Sequence, residues 1–74
     1  MQDLVTRIII FEEGALGDEE TLKLFAELIE TGQVWTLQGF YGRTAADLIE
    51  GGLITPDGEI TDAARELLDE MEGL

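Results

Sequence analysis

The chain has no cysteine and no histidine, a single proline, and only four basic residues among 74. Each shortage excludes something. Without cysteine there is no disulfide, no thiolate nucleophile and no sulfur ligand, and the redox compartment leaves no mark on the sequence. Without histidine the commonest general base and the commonest metal ligand are both missing. With so few lysines and arginines the chain can displace few counterions from a phosphate backbone, so direct nucleic-acid binding is not expected. The same deficit sets it against anionic lipid surfaces. No run approaches the ~20 apolar residues that span a bilayer as a helix. Residues 1–11 have no basic leader and no small-residue cleavage site, and Arg7 interrupts their apolar run, so no secretory signal is expected. The expectation is a cytoplasmic protein with no membrane association, no cofactor and no metal.

What the chain has in excess is negative charge. Seventeen acidic residues give a net charge of -13, yet 45% of the residues are hydrophobic. That apolar content predicts a folded chain rather than a disordered one, and the length predicts one domain over residues 1–74. Such a short chain buries only about 60% of the surface it exposes when unfolded, so its stability is expected to be modest. The charge is unevenly spread. Residues 1–31 and 57–74 each carry a net -6, while residues 32–56 carry only -1. Trp35, Phe40 and Tyr41, three of the five aromatics, fall in that near-neutral centre. Acidity of this size favours solubility and fast encounter with basic partners.

Apolar spacing predicts a helix over residues 3–13, with Leu4, Val5, Ile8 and Ile9 as its stripe. Ile8-Ile9-Ile10-Phe11 also suits a strand, because β-branched residues favour sheets; helix is preferred because no pairing partner lies nearby. Asp18 is the expected N-cap of a second helix, with Glu19 and Glu20 in its first turn and Gly32 as its stop. Leu22, Leu24, Phe25, Leu28 and Ile29 form its buried face. Residues 33–38 suggest a short third helix with Val34, Trp35 and Leu37 inward. Gly39-Phe40-Tyr41-Gly42 reads as a turn, followed by a helix over 43–50 that Thr44 caps and Gly51-Gly52 closes. Thr55-Pro56-Asp57-Gly58 is a turn in which proline sets one φ and Asp-Gly supplies the positive one. Leu53-Ile54 and Glu59-Ile60 would flank it as a small hairpin. Thr61 then caps a helix over 62–72, with Ala64, Leu67, Leu68 and Met71 inward. The expected fold is mainly α, a small four- to five-helix domain with one short β-hairpin.

Ala45-Ala46-Asp47-Leu48-Ile49-Glu50-Gly51-Gly52-Leu53-Ile54 resembles the recognition helix and first wing strand of a winged helix-turn-helix domain. Gly58-Glu59-Ile60-Thr61-Asp62-Ala63-Ala64-Arg65-Glu66-Leu67-Leu68 resembles the second wing strand and closing helix. This resemblance covers residues 33–72 and implies winged-helix-like architecture and, as one reading, a transcriptional regulator. Fold alone does not fix function. Leu24-Phe25-Ala26-Glu27-Leu28-Ile29-Glu30-Thr31-Gly32, Trp35-Thr36-Leu37-Gln38-Gly39-Phe40-Tyr41-Gly42-Arg43-Thr44-Ala45 and Leu48-Ile49-Glu50 resemble the shared core of small uncharacterised acidic proteins of bacteriophages infecting actinobacteria. That resemblance implies phage origin and carries no activity or functional residues with it.

Candidate catalytic chemistry fails residue by residue. Gly42-Arg43-Thr44 looks like the end of a phosphate-binding loop, but Leu37 stands where the first glycine belongs and arginine replaces lysine. A calcium loop starting at Asp57 would need glycine at Asp62 and glutamate at Leu68. Carboxylate pairs for acid–base work need a cleft and a shifted pKa, whereas the acids here fall on polar helix faces. No enzyme is expected. The constellation that remains is Trp35, Phe40, Tyr41 and Arg43 with Asp47 and Glu50, a set suited to binding a protein with a basic surface. Tyr41 and Arg43 are its expected hot spot. The acidic ends fit a phage protein that binds or inhibits a host protein, nucleic-acid mimicry being the extreme form; homo-oligomerisation stays open.

Overall fold

A computed structural model of the protein describes residues 3–72. Helix α1 spans Leu4–Glu12, α2 Asp18–Thr31, α3 Gly39–Glu50 and α4 Asp62–Glu72, with a 3-10 turn at Gln33–Trp35 between α2 and α3. Asp3 starts α1 by accepting the Thr6 N–H at 2.8 Å, a hydrogen bond that also holds its carboxyl below the usual carboxylate range. Helix wins over strand in this segment because Leu4, Ile8 and Phe11, at i, i+4 and i+7, reach the core together. The stripe is rotated from the expected one: Val5 and Ile9 lie exposed.

Helix α2 is the centre of the core. Leu24, Phe25 and Leu28 are fully buried, with Leu22, Ala26 and Ile29 beside them. Its N-cap is Gly17, not Asp18, which is the first helical residue. Asp18, Glu19 and Glu20 still occupy the first turn, where carboxylates favour the helix dipole. Gly32 ends the helix in the left-handed region at φ 78°, a conformation costly for a residue with a Cβ.

Residues 39–42 are not a turn. They form the first turn of α3, which begins at Gly39 after Gln38. Glycine is a poor helix former, but Tyr41 and Ala45 are both buried one turn apart and Leu48 packs behind them. That shared burial carries the helix back through Gly42. Thr44 is therefore an interior residue of α3 and caps nothing.

The expected β-hairpin is absent. Among the described residues there is no strand; Ile54 and Ile60 form a single antiparallel bridge, and a wing of paired strands is not built. The pairing has no room to extend. Gly52 turns the chain at φ 77° just before it. Just after it, Thr61 is engaged as the cap of α4, its Oγ1 accepting from the Ala64 N–H at 3.1 Å and donating to the Gly52 carbonyl at 2.6 Å. The turn chemistry itself is as expected, with the Gly58 N–H donating to the Thr55 carbonyl at 2.9 Å and Gly58 at φ 94°. The loop does not project, however. Gly58 is seated on α2: a Cβ there would come within 2.6 Å of the Ala26 carbonyl oxygen and 2.7 Å of the Glu30 nitrogen. This seat presses Ile54 into the core, where it is 1% exposed. Helix α4 closes the fold through fully buried Ala64 and half-buried Leu68, while Leu67 and Met71, expected inward, are exposed. No described helix is long and apolar enough to cross a membrane.

Candidate protein-docking face

Helix α3 positions four of the six expected binding residues on one stripe. Phe40, Arg43, Asp47 and Glu50 stand at i, i+3, i+7 and i+10 and all are exposed, as helical spacing requires of residues sharing a face. Trp35 packs against α3 from the 3-10 turn, on the flank at Gly42, which lies across the helix from Phe40. It was expected inward and lies 56% exposed. Its indole rests along α3 at Gly42, where a Cβ would meet Cε3 at 3.7 Å and Cζ3 at 3.9 Å. The missing side chain at position 42 therefore leaves a flat seat beside the ring.

Phe40 is 48% exposed but well supported from below. Its ring stacks on Phe11 of α1 at 6.1 Å and meets Tyr41 edge-on at 5.5 Å. Phe11 in turn meets Phe25 edge-on at 5.5 Å, and Phe25 stacks on Tyr41 at 6.0 Å. Four rings thus form one layer whose outer member is Phe40. A ring held this way loses little rotamer freedom when a partner covers it, which is the economy that makes aromatics good interface residues.

Tyr41 does not belong to the exposed set. It is 4% exposed, and its phenol donates to the Glu12 carboxylate at 2.6 Å, tying α3 to the end of α1. Burial, reinforced by the Glu12 hydrogen bond and charge, pushes the phenol up to about 12. Of the two neighbouring aromatics Phe40 is the one that projects outward, so the exposed aromatics of this region are Trp35 and Phe40 and not Tyr41. Arg43 lies outside every ion pair formed among the described residues. Its guanidinium folds back over Gly39, with Nη1 3.2 Å from where a Cβ would stand. The outward stripe of α3 thus presents Phe40, one planar cation, and two carboxylates farther along the helix, with the Trp35 ring on the flank at Gly42.

Two sets of residues that the spacing assigns to buried stripes are exposed. One is Val5 and Ile9 on the outer side of α1. The other is Leu67 and Met71, which border a groove between α2, α3 and α4. Their spacing signalled helices correctly but could not say which side would find a partner within the domain. Among the described residues no group of three or more acidic side chains converges as a metal site needs.

No curated protein matches the chain, and no solved structure matches it. One family does, over residues 1–72, nearly the whole length, and the chain belongs to it: the family described as "Domain of unknown function (DUF7417)".

Proposed function

We propose that the protein is a small acidic binding module that engages a protein partner with a basic surface through the outward face of α3. The observation that carries the reading is the pair Trp35 and Phe40, the first 56% and the second 48% exposed, on the least charged third of an otherwise strongly acidic chain. Large aromatics left in water beside an arginine are the composition of interface hot spots. Arg43 supplies a planar donor fork for a carboxylate or carbonyl of the partner, and Asp47 and Glu50 would receive its cations. The acidic remainder steers encounter with that basic surface. The reading includes the phage setting implied by the sequence resemblance, with a host protein bound or inhibited in the cytoplasm of the infected cell.

A regulator that reads DNA is not favoured, because the outward face of α3 offers Arg43 as its only cation and sets Asp47 and Glu50 against phosphates. The test is affinity capture from an actinobacterial lysate with three baits: the unaltered protein, a Trp35→Ala/Phe40→Ala variant, and a variant with Glu→Gln changes at Glu20, Glu30, Glu66 and Glu70. The proposal expects one protein retained by the first and third baits and lost from the second. Retention by the second and salt-sensitive loss from the third would overturn the site and favour nucleic-acid mimicry by α2 and α4.

A further inference from the structure

We propose a second docking site, separate from the α3 face: the groove between α2, α3 and α4 accepts a basic amphipathic helix of a partner protein. The groove measures about 270 Å³ and is lined by Leu22 of α2, Leu48 of α3, Leu53, and Leu67, Leu68 and Met71 of α4, with Asp18 as its charged member. Leu67 and Met71 remain 46% and 44% exposed. They belong to the same i, i+3, i+4, i+7 stripe as buried Ala64 and half-buried Leu68, so α4 has docked with only one side of its apolar face. The other side is left open over leucines from three segments. Rows of leucine with a flexible methionine at the margin suit an incoming helix, because the thioether adapts to whichever apolar side chain arrives.

Charge settles the occupant. Asp18, Glu19 and Glu20 line the depression that continues from Leu68 and Met71 onto the first turn of α2. Glu66 and Glu70 stand exposed at i-1 and i+3 from Leu67 along α4. No lysine or arginine lines the apolar groove, and the nearby Lys23 is already paired with Glu19 at 3.1 Å and Glu20 at 3.6 Å. A second copy of this chain carries another net charge of -13 and would set like charge against this rim. A helix with leucines on one side and lysines flanking them meets the groove with its apolar face and the carboxylates with its cations, and like-charged alternatives are repelled.

The probe is a synthetic helical peptide of leucines and lysines with its leucines on one face, beside a scrambled peptide of identical composition and charge. Binding is followed by nuclear magnetic resonance with labelled protein. The expected result is that the amphipathic peptide binds at least tenfold more tightly than the scrambled one and shifts the methyl signals of Leu48, Leu53, Leu67 and Met71. Leu67→Ser and Met71→Ser, both at exposed positions, should each weaken it at least threefold while the spectrum of the free protein stays folded. Trp35→Ala should leave this titration unchanged, so failure here and failure of the α3 face are told apart. Equal affinity for both peptides, shifts centred on Trp35 and Phe40, or self-association that buries Leu67 and Met71 would each overturn the proposal.

Discussion

Replacing Gly58 with alanine tests whether the loop after Ile54 is seated on α2 or merely hangs beside it. Two costs add. At φ 94° an L-residue sits in the left-handed region, which costs roughly 1–2 kcal/mol. The new Cβ would also lie 2.6 Å from the Ala26 carbonyl oxygen, 2.7 Å from the Glu30 nitrogen and 2.8 Å from the Glu30 Cβ. These atoms belong to the backbone and first side-chain carbon of a helix, so they cannot swing aside, and the loop must lift off α2. Forcing extra volume into a packed contact costs about 1–3 kcal/mol. The sum is about 2–5 kcal/mol, a large share of the 5–15 kcal/mol typical of small domains. Gly14→Ala is the matched control, since Gly14 has φ 77° and nothing within 4 Å of its added Cβ. The entropy that alanine removes from the unfolded chain is the same in both variants and cancels. Urea denaturation of each, followed by far-ultraviolet circular dichroism, gives the difference directly. Gly58→Ala should lose about 1–3 kcal/mol more than Gly14→Ala, the packing share alone. Equal losses would refute it and place the loop off the helix.

Gly42→Ala should act in the opposite direction: its Cβ meets the Trp35 ring at an ordinary 3.7 Å, and replacing a helix-interior glycine gains about 1 kcal/mol, read as a raised urea midpoint. Tyr41→Phe should cost about 1–2 kcal/mol at neutral pH, the hydrogen bond to Glu12 being lost while that exposed carboxylate rehydrates. Because the Tyr41 phenol holds its proton to about 12 when folded and to about 10 when unfolded, the folded state's preference for the protonated phenol is fully present below pH 10 and is lost as pH rises from about 10 to about 12, a larger effect than the hydrogen bond because burial itself penalises the phenolate. That loss amounts to roughly 3 kcal/mol at about 1.4 kcal/mol per unit, and urea melts across this window should show it in the unaltered protein and not in Tyr41→Phe.

Local chemistry made much of the fold legible. The left-handed glycines at 14, 32, 52 and 58 all stand where a helix stop or a Pro-Asp-Gly turn announced them, and Thr61 caps α4 as its hydroxyl and position imply. Two errors arose where local signals and distant packing disagreed. Gly39-Phe40-Tyr41-Gly42 carries the composition of a turn, yet Tyr41 finds Phe25 and Phe11 at 6.0 Å each, and that burial outweighs the poor helix propensity of two glycines. Leu53-Ile54 and Glu59-Ile60 carry the composition of a hairpin, but a two-strand ribbon is marginal unless something holds it. What holds this segment is α2, which grips Gly58 at the loop tip and leaves only the Ile54–Ile60 bridge.

The candidate face was half legible for a related reason. Sequence placed Arg43, Asp47 and Glu50 on the outer side of a helix, because polar residues at helical spacing avoid the core whatever the partner elements do. It ranks the aromatics the wrong way round. Tyrosine, with its hydroxyl, looked the better candidate for the surface, and tryptophan, the largest side chain, the better candidate for the core. The outcome is decided by what each ring finds at close range. Glu12, at the end of α1, accepts the buried phenol's hydrogen bond and removes the penalty of taking that hydroxyl out of water. Trp35 follows a 3-10 turn whose inward position is already filled by Val34, fully buried, so the indole is turned outward along α3. An exposed tryptophan here is a consequence of Val34 and Gly42 together: one occupies the core position, and the other leaves the helix surface bare beside the ring. That arrangement leaves the Trp35 ring outside the core, so a substitution at Trp35 can be asked to report on binding, whereas one at Phe40 also removes packing on Phe11 and Tyr41.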